Sequence, residues 1–317
     1  MNNECVLVLG SAGFIGSAIV DRLVRQGFRV YAVGHTEAVE EDGRLVRVRG
    51  SIEDDELLRE VLPHCQHIVY AAGRTTPGTS ARDPSLEVTD NLFSLSRLLR
   101  SLADFPGKRL VYLSSAGAIY GDLARNAEES SALRPRSYYG AGKVAAEAFI
   151  HACAISGHVD AIVLRPTNLY GPRQPVSKGF AVIPTLFQRA IDGKPFPIWG
   201  DGSAVRDYCY IDDLVEVIAR VLSRPVQSRF ATFNVAGGHT ASTLELIAAC
   251  ERISNEKINV EFLPPRGVDV AHVSPQIKAV CSNYAWQPEV RLEEGLSLTW
   301  EWFRTNAAII PTLRVRD

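Results

Sequence analysis

Three glycines at a fixed spacing, Gly10, Gly13 and Gly16, separate the unbroken apolar run Cys5 to Leu9 from an amphipathic pattern that continues through Gln26. The apolar run reads as a short strand buried on both faces, and the following periodicity reads as a helix. The glycines must therefore make a tight strand-to-helix turn. In such a turn the backbone can approach a ligand closely. The free N–H groups and the positive end of the helix dipole then favour a pyrophosphate.

The same alternation continues down the chain. Phe28 to Val33, Leu45 to Val48, His67 to Ala72, Arg109 to Ser114 and Ala161 to Arg165 read as strands. Glu53 to Leu62, Leu86 to Ala103 and Tyr139 to Ile155 carry apolar residues at helical spacing. This predicts an α/β fold, a doubly wound parallel sheet covered on both faces. After Arg165 prolines interrupt the pattern, with further helices over Ile211 to Leu222, Thr243 to Ile253 and Leu292 to Phe303. The expected division is 1–165, carrying the dinucleotide site, and 166–317, a smaller C-terminal α/β lobe with some segments returning to the sheet. No repeats or low-complexity segments are present.

With 317 residues, 46% of them hydrophobic, and a formal charge of -2, the chain can bury a large core and has no electrostatic bias toward nucleic acid or anionic membrane. Its six cysteines are scattered without a C-x-x-C pair, and read as reduced thiols. No metal site is expected; His64 and His67 read as surface or turn residues. Asp212 and Asp213 read as caps of the helix they begin. With neither a leader nor a spanning segment visible, the expected location is the cytoplasm.

Tyr139 and Lys143 lie four residues apart, on one face of their helix. A phenol titrates near about 10 in water, and an adjacent ammonium is expected to lower that value, which makes the pair a candidate base.

Further motifs appear in order along the chain. They include Ala71-Ala72-Gly73, Asn91, Leu113-Ser114-Ser115 before Ile119-Tyr120-Gly121, and Leu164 to Gln174. Gly200-Asp201-Gly202, Arg206-Asp207-Tyr208, Asp212-Asp213 and Trp286-Gln287-Pro288 follow. Together with the glycine loop and the Tyr139/Lys143 pair, they resemble, over nearly the whole length, the extended short-chain dehydrogenases/reductases of the nucleotide-sugar epimerase/dehydratase group. The resemblance implies a Rossmann-like fold, a homodimer with half of a four-helix interface in Leu86 to Ala103, and a role in polysaccharide precursor synthesis. It implies NAD held by Gly10, Gly13, Phe14, Ile15, Gly16, Ser51, Ile52, Ala71, Ala72, Gly73, Asn91, Ser114, Tyr139, Lys143 and Pro166. It also implies a UDP- or dTDP-hexose held by Ser115, Asn168, Arg206, Tyr208 and Arg266. Arginine suits the diphosphate because its planar fork matches phosphate oxygens. The implied activity is inversion at C4 by transient oxidation, with Tyr139 as base, Lys143 assisting and Ser115 beside them.

Departures from the group's pattern at three places, beside the tyrosine, at the cofactor and at the hexose, shape that expectation. The hydroxyl partner of the tyrosine falls at Ala116; Ser115, one residue earlier, is open to two readings, substrate partner or structural serine. Gly117 and Ala118 stand where dehydratases carry an Asp-Glu pair, so dehydration is not expected. The second strand ends in Val33-Gly34-His35 without the acid that holds ribose hydroxyls in NAD enzymes. NADP therefore stays open beside NAD, with His35 or Arg49 available to a 2'-phosphate. A small residue, Ala271 or Val273, stands where a bulky aromatic would restrict the hexose. The alternatives to an epimerase are an NADPH-dependent 4-ketosugar reductase and a non-catalytic dinucleotide sensor.

Overall fold

The computed structural model describes residues 4–35, 40–41, 43–176, 181–225, 228–267 and 269–306. The chain runs through β1 (Cys5–Leu9), α1 (Phe14–Arg25), β2 (Arg29–Gly34), β3 (Glu40–Glu41), β4 (Leu45–Arg49), α2 (Asp55–Val61), β5 (His67–Tyr70) and α3 (Pro77–Arg82). A wide π turn (Glu87–Leu92) leads into α4 (Phe93–Asp104), followed by β6 (Lys108–Leu113), α5 (Ala116–Ile119), α6 (Tyr138–Ile155), β7 (Val159–Pro166) and β8 (Asn168–Tyr170). Then come α7 (Val182–Asp192), β9 (Phe196–Trp199), β10 (Val205–Tyr210), α8 (Ile211–Ser223), β11 (Phe230–Val235) and β12 (Thr240–Ser242). The last elements are α9 (Thr243–Ser254), β13 (Val260–Leu263), β14 (His272–Val273), α10 (Lys278–Tyr284) and α11 (Leu292–Thr305).

Eight strands form the main sheet in the order β11-β7-β6-β5-β1-β2-β4-β3, parallel except for the β3–β4 pair. On β1, Val6 and Val8 belong to one core cluster, while Cys5, Leu7 and Leu9 belong to the other. That alternation is what a strand buried on both faces requires. Helices α1 and α8 cover the first face, and α2, α4 and α6 the second. Both α8 and β11 come from the second half of the chain and complete the sheet layer that the first half begins. A smaller sheet, β12-β10-β14 with β8 against β10, and the β9–β13 pair build the remainder.

The chain order reverses between β1 and β5: β2 and β4 lie to one side, β6 and β7 to the other. A reversal of this kind opens a crevice at the carboxyl ends of the strands, where ligands of open α/β sheets bind.

Two local expectations change. His67 is buried within β5, only 6% exposed, rather than at the surface, and desolvation lowers its pKa. Asp213 does not cap α8; its carboxylate accepts the N–H groups of Glu289 (2.9 Å) and Val290 (3.3 Å), while Trp286 Nε1 donates to its carbonyl. It thus fastens the Trp-Gln-Pro turn to α8.

Candidate active site

The crevice after β1 and β5 is a cleft of about 270 Å³. Gly10, the first glycine after β1, has a φ of 84°, and a Cβ there would sit 2.7 Å from the Ala72 backbone. Glycine alone meets both conditions. At Gly16 a Cβ would lie 2.1 Å from Gly10 O, so the first turn of α1 rests directly on the loop. Gly13 differs: its Cβ would meet only Gly10 O, at 3.5 Å. Gly10, Gly13, Ser51, Ile52, Ala71 to Gly73 and Asn91 all line the cleft. Phe14 and Ile15 instead turn toward the core beside α1, and Pro166 closes β7.

At the second strand's end, a Cβ on Gly34 would come within 3.0 Å of Ser11 Oγ, which itself donates to Val33 O at 2.9 Å. The glycine loop thus occupies the space beside the position where an acid was sought. His35 lines the rim there. Tyr70, Arg74, Asp90 and Ser94 also line the cleft; no motif marked them in the sequence.

Helix α6 carries the candidate pair, Tyr139 and Lys143. Ser137 caps it by accepting Gly140 N–H at 3.1 Å, which starts the helix one residue before Tyr139. A Cβ at Gly140 would lie 2.4 Å from Ala118 O, so α6 packs directly on α5. That contact brings Ser115 to the Tyr139 phenol, where its hydroxyl favours the phenolate. Ser115 occupies the N-cap position of α5 but makes no side-chain cap bond. Ala116 is fully buried among Ile119, Tyr120, Ala124 and Val273. Of the two small residues weighed for hexose space, Val273 belongs to this same core, while Ala271 is exposed.

The charge state of the pair differs from the expectation. Burial, with a contribution from the Glu87 carboxylate, pushes Tyr139 up to about 12. Burial also brings Lys143 down to about 8, against the opposing pull of Glu87 and Glu147. Lys143 Nζ donates to Leu113 O (2.8 Å) and approaches Tyr112 Oη (3.4 Å), lying 5.7 Å from the centre of the Tyr139 ring. The ammonium is engaged with β6, and desolvation outweighs its influence on the phenol.

A second group of predicted residues gathers around β8 and β10. Tyr208 pairs with Asn168 in register, and Asn168 Nδ2 donates to Asp207 O at 2.9 Å. Arg206 and Arg266 lie close enough for each to bear on the other electrostatically. Arg266 makes a two-pronged pair with Asp269 at 3.0 Å and lies 4.3 Å above the Trp199 ring. Tyr208 is 4% exposed and packs edge-on against Tyr170, which places it in the core. Below the reactive pair, Arg165 and Glu147 form a buried two-pronged ion pair, extended through Tyr120 to Asn234.

The comparisons with known proteins agree with this geometry. Residues 6–236 match the model of the NAD dependent epimerase/dehydratase family. The chain belongs to that family. It is 32% identical over 313 residues to a UDP-glucose 4-epimerase of Mycolicibacterium smegmatis, covering 95% of this chain and 99% of the relative. It superposes on a Thermus thermophilus UDP-glucose 4-epimerase solved with NAD at a TM-score of 0.86, with 29% identity, covering 95% and 99% of the two chains. A dTDP-glucose 4,6-dehydratase of Xanthomonas campestris is 26% identical over 332 residues, covering 95% and 93%. The residues fit the family's cofactor: the glycine loop opens onto the cleft, and Ser114 Oγ, buried at the end of β6, has no partner among the described residues. Among those residues no grouping of His, Cys, Asp and Glu could hold a metal ion, and no helix is long and apolar enough to cross a membrane.

Proposed function

We propose that this member of the family is a nucleotide-sugar 4-epimerase acting on a UDP- or dTDP-hexose. The reading is carried by the surroundings of Tyr139. A hydroxyl, Ser115, faces the phenol, and the segment from Ser115 to Ile119 contains no carboxylic acid that could expel water from the sugar. Proton transfer to and from a hydroxyl is the chemistry these groups support.

NAD, when bound, supplies the acceptor and donor of hydride at the sugar carbon. Tyr139 takes the proton from the C4 hydroxyl and returns it after the sugar has turned over. Ser115 orients that hydroxyl, and Lys143, anchored on Leu113 O, holds positive charge beside the phenol. Arg206 and Arg266, with Asn168, hold the diphosphate so that the sugar can rotate without leaving; Tyr208 supports β10 from the core. Exposed Ala271 leaves room beside the hexose for an N-acetyl group or a 6-deoxy sugar.

Purified protein incubated with UDP-glucose, UDP-N-acetylglucosamine and dTDP-rhamnose, without added cofactor, tests this by NMR of the sugars. Inversion at C4 is the expected result. Turnover of a 4-ketosugar only when NADPH is supplied would make it a reductase, and loss of water from the sugar a dehydratase.

A further inference from the structure

Glu87 is an acid in an unusual place. It opens the π turn before α4 and is only 5% exposed. Wide turns of this type project residues that a regular helix would carry elsewhere, and they recur at functional sites. Its Oε2 accepts from Asn91 Nδ2 at 2.9 Å, while its Oε1 is buried without a hydrogen-bond partner among the described residues. Asn91 is itself fixed, donating to Thr75 Oγ1 (2.6 Å) and accepting from Arg74 N–H (3.2 Å). The helix opposite makes room for the carboxylate: a Cβ on Gly142 would lie 2.5 Å from Oε2.

A buried carboxylate with one neutral donor is costly unless positive charge lies within reach. The groups that face it are Tyr139 and Lys143 on α6, with Glu147 further along that helix, and Tyr112 on β6. The Arg74 guanidinium, at the rim, is committed to Glu53 at 3.2 Å. Lys143, the residue after Gly142 against which the carboxylate lies, is the cation of α6 that the Glu87 charge favours, without a direct ion pair among the described residues.

The geometry points to Glu87 as a positioning residue that sets the charge of the Tyr139–Lys143 pair, keeping the ammonium on Lys143 and the proton on Tyr139 in the resting enzyme. Lying against α6 at Gly142, between Tyr139 and Lys143, its negative charge opposes loss of either proton, in keeping with its upward influence on both groups. Removing the charge while keeping the shape should make Tyr139 easier to deprotonate and Lys143 easier to neutralise. This deepens the epimerase reading and rests on it only for the activity arm of the test.

The test compares Glu87→Gln and Glu87→Met, which remove the charge, with Glu87→Asp, which retains it. The Tyr139 phenol is titrated by NMR of ring-labelled tyrosine, its signal assigned with Tyr139→Phe. The expected result is a titration moved down by about one pH unit in Glu87→Gln and Glu87→Met, a roughly tenfold larger phenolate fraction at a given pH. Glu87→Asp stays with the parent. The rising limb of kcat against pH should move with the titration. An unmoved or raised titration in the charge-free variants overturns the inference, as does Glu87→Asp moving as far as Glu87→Gln, which would make packing the cause. Two charge-free variants guard against one failing to fold. Failure of the epimerase reading would remove the kcat arm and leave the phenol titration intact.

Discussion

Exchanging hydroxyls between positions 115 and 116 tests where the reactive tyrosine finds its partner. In Ser115→Ala the phenolate loses a hydroxyl that favours it. A hydrogen bond to a charged group contributes about 1.5–3 kcal/mol, so kcat should fall about 10- to 150-fold. Stability should hardly change, within about 0.5 kcal/mol, because Ser115 makes no side-chain cap bond on α5. Ala116→Ser does the opposite. Position 116 is fully buried in an apolar cluster, where an unpaired hydroxyl costs about 1–3 kcal/mol of stability and reaches no substrate.

The double variant, Ser115→Ala with Ala116→Ser, decides the matter. It restores the serine to the position where the family pattern puts it, and the structure expects it to remain as slow as Ser115→Ala. Steady-state kcat and denaturant melts on all four proteins supply both readings. A double variant that recovers the parent's kcat would refute the reasoning, since the hydroxyl at 116 would then have to reach the phenol.

The glycine loop offers a contrast. Gly16→Ala, with its Cβ 2.1 Å from Gly10 O, should disrupt the loop and lower both melting temperature and NAD affinity, whereas Gly13→Ala, at 3.5 Å, should fold normally and lose NAD affinity alone, by about tenfold or more as the methyl enters the cleft. Titration calorimetry and thermal melts distinguish the two, and equal effects would contradict the geometry. The depressed Lys143 pKa predicts a pH dependence of stability: between about 8 and its unfolded value of 10.5 the folded state binds fewer protons than the unfolded one, so stability rises with pH across that window. Urea melts should show the parent gaining about 1–3 kcal/mol on Lys143→Met over that range, a figure reduced for the partial exposure of the residue, and parallel curves would contradict it. Phe149 and Ile155 on α6, Val88 in the π turn and Phe93 at the start of α4 are exposed at 53%, 63%, 59% and 49%. A homodimer through these residues is expected, so light scattering should give twice the chain mass for the parent and the single-chain mass for Phe149→Glu; a monomeric parent would contradict it.

The parts of the fold that depend on periodicity were legible in the sequence. Cys5 to Leu9 is β1 to the residue, and the other strands read in the first half shift by only one or two residues at their ends, while the two-residue β3 was not read. The helix read as Leu86 to Ala103 begins instead with a π turn over Glu87–Leu92, on which Glu87 is buried. Glu87 itself escaped notice. Its only signal is a carboxylate on the buried side of an otherwise apolar stripe, and a solvated face is the ordinary reading of a helical acid. Ser115 was named but left between two readings, since its contact with Tyr139 depends on Gly140 letting α6 close upon α5.

The charge state of the reactive pair shows why spacing alone misleads. Four residues of helix place a phenol and an ammonium on one face, and in water the ammonium would favour the phenolate. Inside the protein each group also leaves water, and desolvation disfavours whichever form is charged: it moves the phenol up to about 12 and the amine down to about 8, in opposite directions. Between those values both groups are neutral, and below the lower one only the amine carries charge. Burial thus disfavours the phenolate–ammonium pair in the resting state. In the proposed mechanism a base held in this way remains a phenol until further positive charge enters the site, and once deprotonated it has the strong proton affinity that removal of a sugar hydroxyl proton demands. Glu87 strengthens that restraint, which is why exchanging one buried acid for its amide should alter the pH at which the tyrosine begins to act.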